Sequence, residues 1–148
     1  MQGLLALYKH WCTADAVKVT VASPVHDGPH DWPDDLLALA RMHSSFLRIS
    51  VWYALLFVVV EGYRELKADD TGVNELLANE EMTDSLRRFR HAVFHYQEDP
   101  VGPKLMTFLE AKESETWVPK LHSAFKAFFE RSLPLKEIMQ SVSVGNGA

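Results

Sequence analysis

The hydrophobic and polar positions of this chain follow the spacing of amphipathic helices, and prolines and glycines divide the pattern into pieces. In the first piece, residues 3–21, apolar side chains recur at helical spacing: Leu4, Leu5, Tyr8, Trp11 and Cys12. The β-branched residues at 16–21 leave a strand as an alternative, although no turn residues separate them from the helix. Residues 23–33 hold three prolines and a glycine, which predicts a loop.

The second piece predicts one long helix. It follows Pro33, and the acidic pair Asp34 and Asp35 favours a helix N-terminus. No glycine or proline appears again until Gly62. The pattern therefore predicts a single helix over residues 34 to about 67, with a length on the order of 50 Å at 1.5 Å per residue.

The middle of this predicted helix, residues 51–60, is apolar on every side. A helix that is apolar all round must be buried all round, and a small bundle offers only one core. We therefore expect a second contact surface, which a homodimer would supply most simply. The β-branched run at 57–60 leaves a buried strand as an alternative. The uncharged run, residues 49–60, is shorter than the roughly 20 residues of a spanning helix, so no membrane segment is expected.

The rest of the chain predicts shorter helices. They cover residues 73–78, 83–97, 104–112 and 116–132, and a last short helix begins at Pro134. The tail at 141–148 has no periodicity and is predicted to be disordered. The predicted fold is all-α: a largely antiparallel bundle of about five helices around one long central helix, in a single domain over residues 1–140.

Composition and charge narrow the function classes. The 148 residues are 47% hydrophobic, enough for one domain with a substantial core. The net charge of -5 argues against a surface that coats nucleic acid, but it leaves room for a small cationic site. The single cysteine, Cys12, excludes an internal disulfide and a cysteine-based metal site, which predicts a reducing, cytoplasmic setting.

Residues 84–97 carry the candidate chemistry. On a helical wheel one face is a core stripe formed by Leu86, Phe89, Val93 and Tyr96. The other side holds Arg87, His91, Phe94 and His95, with Arg90 on the border. Residues 86–95 contain three arginines, two histidines and no acid, whereas residues 61–81 contain seven acids and two bases. A compact cationic site of this kind suits one phosphate group, and histidine can move protons near pH 7.

The segment Arg90-His-Ala-Val-Phe-His95 resembles the Arg-x4-6-His motif of HEPN domains, with His91 at the polar position after the arginine. The wider phrases at 58–66 and 89–97 are similar to a group of uncharacterised bacterial HEPN-like proteins. The resemblance implies a small helical bundle that dimerises, so that both motifs line one cleft. It also implies a metal-independent endoribonuclease of the toxin or defence type, whose partners are RNA or a nucleotide and an antitoxin.

The resemblance also implies roles for individual residues. His95 would accept the proton of the ribose 2′-hydroxyl or hold that group for attack, and Arg90 would stabilise charge at the phosphorus. His91, Arg87 and Glu61 would bind substrate. The products would be a 2′,3′-cyclic phosphate and a 5′-hydroxyl, with no metal and no cofactor. On a continuous helix Arg90 and His95 would lie about 140° apart, which favours a site shared across a dimer.

Two alternatives remain open at this point. Arg90 and His95 could be structural, with Glu61 as the partner of Arg90, in a non-catalytic module that binds nucleotides or another protein. His91 and His95, four residues apart, could instead share a metal ion. The sequence supplies no assured third ligand, so no metal site is expected.

Overall fold

The computed structural model describes residues 1–23 and 32–134. Six helices form this part of the chain: α1 (Gln2–Thr20), α2 (Asp34–Glu65), α3 (Thr71–Leu77), α4 (Glu80–Phe94), α5 (Pro103–Glu110) and α6 (Ser114–Ser132). The all-α prediction is confirmed, with six helices rather than about five. No strand occurs in the described ranges, so the strand alternatives at 16–21 and 57–60 are wrong. The predicted last helix and the tail at 141–148 lie outside the described residues.

The long helix α2 forms as its sequence predicts. Pro33 precedes it, Asp34 and Asp35 occupy its first turn, and no glycine or proline interrupts its first 28 residues. Near its end, Gly62 allows close approach of α1, because a Cβ atom at this position would lie 2.6 Å from Cδ1 of Leu7.

Helix α1 runs antiparallel to α2, whereas α6 runs parallel to α2. The beginning of α1 lies against the end of α2, with Gly3 beside Leu66. At the other end of α1, Arg48 donates to the carbonyl groups of Thr20 and Ser23. Helix α6 places His122 beside Trp52, and Phe125 and Phe128 beside Tyr63.

The apolar segment 51–60 is covered by the chain's own helices. None of its side chains is exposed, and Leu56, Val59 and Val60 are fully buried. On one side, Tyr53 packs against Phe89 of α4 and Phe108 of α5. Helices of the same chain therefore bury most of this segment, so its apolar side chains do not by themselves require a partner chain, and the homodimer stays a prediction.

The first half of α2 is different. Helix α1 ends opposite Arg48, so residues 34–47 of α2 extend beyond the end of α1 by roughly 20 Å. Exposed apolar side chains lie along this half: Leu36 (42% exposed), Leu39 (54%), Met42 (64%) and Leu47 (49%). Three of them, Leu36, Leu39 and Met42, line an open apolar groove of about 600 Å³ together with Ala40, His43, Phe46 and, from the loop between α4 and α5, Val101. We call this surface the α2 groove.

By length and composition, α2 could also cross a membrane. Its most apolar stretch of 18 residues has a mean hydropathy of 1.5. Within that stretch 44% of the residues are buried inside the chain. A core helix of a bundle has the same properties, and segment 51–60 is packed as a core helix.

Candidate functional site

Helix α4 carries the predicted motif, but its bounds differ from the prediction. The side chain of Asn79 caps its N-terminus by accepting from the backbone N–H of Met82, whereas Thr83 is buried inside the helix. The helix ends at Phe94, before the predicted end at residue 97. Leu86 and Phe89 are buried as predicted.

The early end of α4 changes the surroundings of His95 and Tyr96. His95 follows the last helical residue with extended backbone angles, φ -118° and ψ 143°. The side-chain amide of Gln97 donates to the carbonyl oxygens of His95 (3.3 Å) and Tyr96 (2.9 Å), which holds this turn. Tyr96 is 92% exposed, so the prediction that it belongs to the core is wrong. No role was predicted for Gln97, because hydrogen bonds from a side chain to the backbone of its own turn leave no periodic pattern in the sequence.

The two histidines of the motif form a stacked pair at the surface. The ring centroids of His91 and His95 lie 4.4 Å apart with an interplanar angle of 30°, and both residues are exposed. Partial desolvation, followed by the neighbouring basic groups of His95, Lys104, Arg90 and Arg87, lowers the pKa of His91 below its usual value. We call these five residues the cationic cluster. The sequence prediction missed Lys104, which the short α4–α5 loop returns to the end of α4.

Arg90 is the member of the cationic cluster that contacts α2. Its Nη2 atom is 3.5 Å from Oε2 of Glu61, and both side chains are partly exposed. Among the described residues, Nε of Arg90 is the only buried side-chain nitrogen or oxygen without a hydrogen-bond partner. The structure thus brings Glu61 to Arg90, and the guanidinium keeps one buried donor, Nε, that no described residue satisfies.

Arg87 has a close partner of its own. Its Nε and Nη2 atoms donate to one carboxylate oxygen of Asp84 at 2.9 and 2.7 Å, while Arg88 donates to the other oxygen. These hydrogen bonds, from Arg87 first and Arg88 second, lower the pKa of Asp84. A phosphate that binds Arg87 has to compete with this exposed carboxylate.

The position of His95 also removes one argument for a shared dimer site. The angle of 140° between Arg90 and His95 assumes that both residues lie on one helix, but α4 ends before His95. The angle itself is therefore wrong, because the extended backbone of His95 redirects the imidazole, whereas the site shared across a dimer stays a prediction. His95 instead stacks on His91 within a single chain.

The structure also bears on metal ligation and on the remaining histidines. Within residues 1–23 and 32–134, no group of three or more His, Cys, Asp and Glu side chains is placed to hold a metal ion. His122, which no sequence pattern singles out, is buried in α6. Its Nδ1 accepts from the Trp52 indole at 3.2 Å, and its Nε2 lies 2.9 Å from Oδ1 of Asp15. Both ring nitrogens are occupied inside the core, so this arrangement is structural.

Comparisons with protein-family models, with curated proteins and with solved structures find no match to this chain. The fold and the site define an all-α bundle with a solvent-exposed cationic cluster at the end of its fourth helix.

Proposed function

We propose that this protein is an HEPN-like, metal-independent endoribonuclease of the toxin or defence type. One observation carries the proposal: the stacked, exposed imidazoles of His91 and His95 lie at the end of α4 among the positive charges of Arg90, Lys104 and Arg87. Proton-transfer groups and phosphate-binding groups are thus side by side on a protein of net negative charge.

In the proposed reaction the 2′-oxygen of a ribose attacks the adjacent phosphorus, and the bond from phosphorus to the 5′-oxygen breaks. His95 accepts the proton of the 2′-hydroxyl, and solvent water supplies the proton to the departing 5′-oxygen. Arg90 donates to the phosphate oxygens as charge develops on them, while Glu61 holds its guanidinium from the other side. The lowered pKa of His91 favours its neutral ring, which stacks on His95.

The reaction needs no metal ion, because side chains provide both proton transfer and charge stabilisation. We expect the native protein to cleave unstructured RNA in excess EDTA and to leave 2′,3′-cyclic phosphate and 5′-hydroxyl ends. End-group analysis of the products by mass spectrometry measures this directly. Binding of RNA without any cleavage would instead indicate a non-catalytic nucleotide-binding module, while cleavage that EDTA abolishes would contradict the mechanism.

The protein is proposed to act as a homodimer, and the α2 groove is the surface we assign to the second copy. Support comes from the exposed apolar row along the projecting half of α2 and from Val101 at its edge. Val101 belongs to the loop that begins with His95, so a second copy seated there lies close to the cationic cluster. A further partner of the antitoxin kind would act by covering the same cluster.

Replacing Leu39 with glutamate is expected to convert the dimer to monomer, because it places a charge in the centre of the apolar groove. Ala38→Glu is the matched control, since Ala38 is exposed on the same half of α2 but does not line the groove. Light scattering coupled to size-exclusion chromatography gives the mass of each species. Equal masses for Leu39→Glu, Ala38→Glu and the native protein would contradict this interface.

A further inference from the structure

Two exposed aromatic residues flank His95 in the sequence and take no part in the proposed reaction. Tyr96 is 92% exposed, and Phe94, the last residue of α4, is 44% exposed. Among the described residues neither ring packs against another aromatic ring, and neither belongs to the hydrophobic core. Large apolar rings held in water next to a cationic site are a typical feature of ligand-binding surfaces.

The turn that carries Tyr96 is held in place by its own side chains. Gln97 bonds the carbonyl oxygens of His95 and Tyr96, and Asp99 accepts from the backbone N–H of Val101 at 3.0 Å. Tyr96 is therefore presented by a bonded turn. This restraint lowers the entropy that would be lost when a flat ligand stacks on the ring.

The charges around the turn are arranged in two groups. The cationic cluster lies on the side of His95, whereas Glu98 and Asp99, exposed acids, follow Tyr96. A phosphate is attracted to the first group and repelled by the second. The group that lies over Tyr96 is therefore expected to be uncharged and flat, as the base of a nucleotide is.

We propose that Tyr96, aided by Phe94, is a stacking platform that holds one unpaired base of the RNA beside the cationic cluster. The proposal rests on the proposed ribonuclease function and names the residues that hold the base. In a duplex each base is stacked inside the helix, whereas in loops and single strands a base can leave its neighbours and stack on an aromatic side chain. A phosphate at His91 and His95 would place the adjoining base beside Tyr96.

The test measures binding separately from cleavage. An unstructured, fluorescently labelled RNA with 2′-O-methyl groups cannot be cleaved by attack of the 2′-oxygen, and its binding is followed by fluorescence anisotropy. Tyr96→Ala is expected to weaken binding about tenfold. Tyr96→Phe and Tyr96→Trp are expected to bind as the native protein does. Trp32→Ala, which removes another exposed aromatic ring, is the matched control and should leave binding unchanged.

The outcomes separate this proposal from the proposed function. Three results overturn the stacking platform: native affinity in Tyr96→Ala, an equal loss of affinity in Tyr96→Phe, or no binding of the RNA by the native protein. Equal affinity of the native protein for the same RNA as a duplex overturns the stacking of an unpaired base on Tyr96. Binding that depends on Tyr96, together with an absence of cleavage of ordinary RNA, supports the platform and overturns the ribonuclease function.

Discussion

Replacing His95 with alanine is expected to lower the rate of RNA cleavage at least 100-fold while the protein remains folded. A positioned general base contributes about 10²- to 10⁴-fold to a rate, and His95 is the group we assign to the 2′-hydroxyl proton. The side chain is exposed at the end of α4 and, among the aromatic rings of the described residues, stacks only on His91, so its loss removes little packing. The melting temperature should therefore remain close to that of the native protein.

The measurement is single-turnover cleavage of a labelled RNA in EDTA, with thermal unfolding followed by circular dichroism. His10→Ala is the matched control, because it removes an exposed imidazole from α1. Cleavage by His95→Ala at the native rate would refute the assignment of His95. Equal loss in the His10→Ala and His95→Ala variants would point to a general defect in folding.

Replacing His122 with alanine is expected to lower the free energy of unfolding by about 3 kcal/mol. The imidazole is buried among the rings of Trp11 and Trp52, so the substitution leaves a cavity. It also leaves the indole N–H of Trp52 without its acceptor, and an unsatisfied buried donor is costly. Urea unfolding of the two proteins at neutral pH measures the difference, and Lys126→Ala, an exposed change on α6, is the control.

His122 also makes stability depend on pH. Burial lowers the pKa of its imidazole in the folded protein, an effect that the hydrogen bond to Asp15 partly offsets. The unfolded chain therefore binds a proton that the folded chain resists, so stability is full above the unfolded pKa of about 6.5 and falls as the pH drops below it. Urea unfolding at about pH 7.5 and 5.5 is expected to show this loss in the native protein and a smaller loss in His122→Ala. Identical losses would show that other groups cause the dependence.

The sequence predicts elements whose causes are local. Helix α2 follows from Pro33, the acids after it and the lack of a break before Gly62. The predicted end of α4 at residue 97 was wrong. The helical wheel places Tyr96 on the core stripe, but the Gln97 side chain and the extended backbone of His95 end the helix before Tyr96. A periodic pattern contains no information about such a local hydrogen bond.

The contacts between distant residues could not be predicted in the same way. The partner of His122 in α1 is 107 positions away in sequence, and its partner in α2 is 70 positions away. The Arg90–Glu61 pair was foreseen as an alternative because both residues stood out for their surroundings in sequence. The burial of segment 51–60 within one chain could not be foreseen, because it depends on how α1, α4, α5 and α6 are arranged around it.

The length of α2 gives it a mechanical property. The groove residue Leu39 and the site residue Glu61 belong to the same helix, separated by roughly 33 Å of continuous backbone hydrogen bonds. No proline or glycine lies between them to act as a hinge. The projecting end and Glu61 therefore belong to one continuous helix, and we expect a tilt of that end to reach the contact between Glu61 and Arg90 without being absorbed at a hinge.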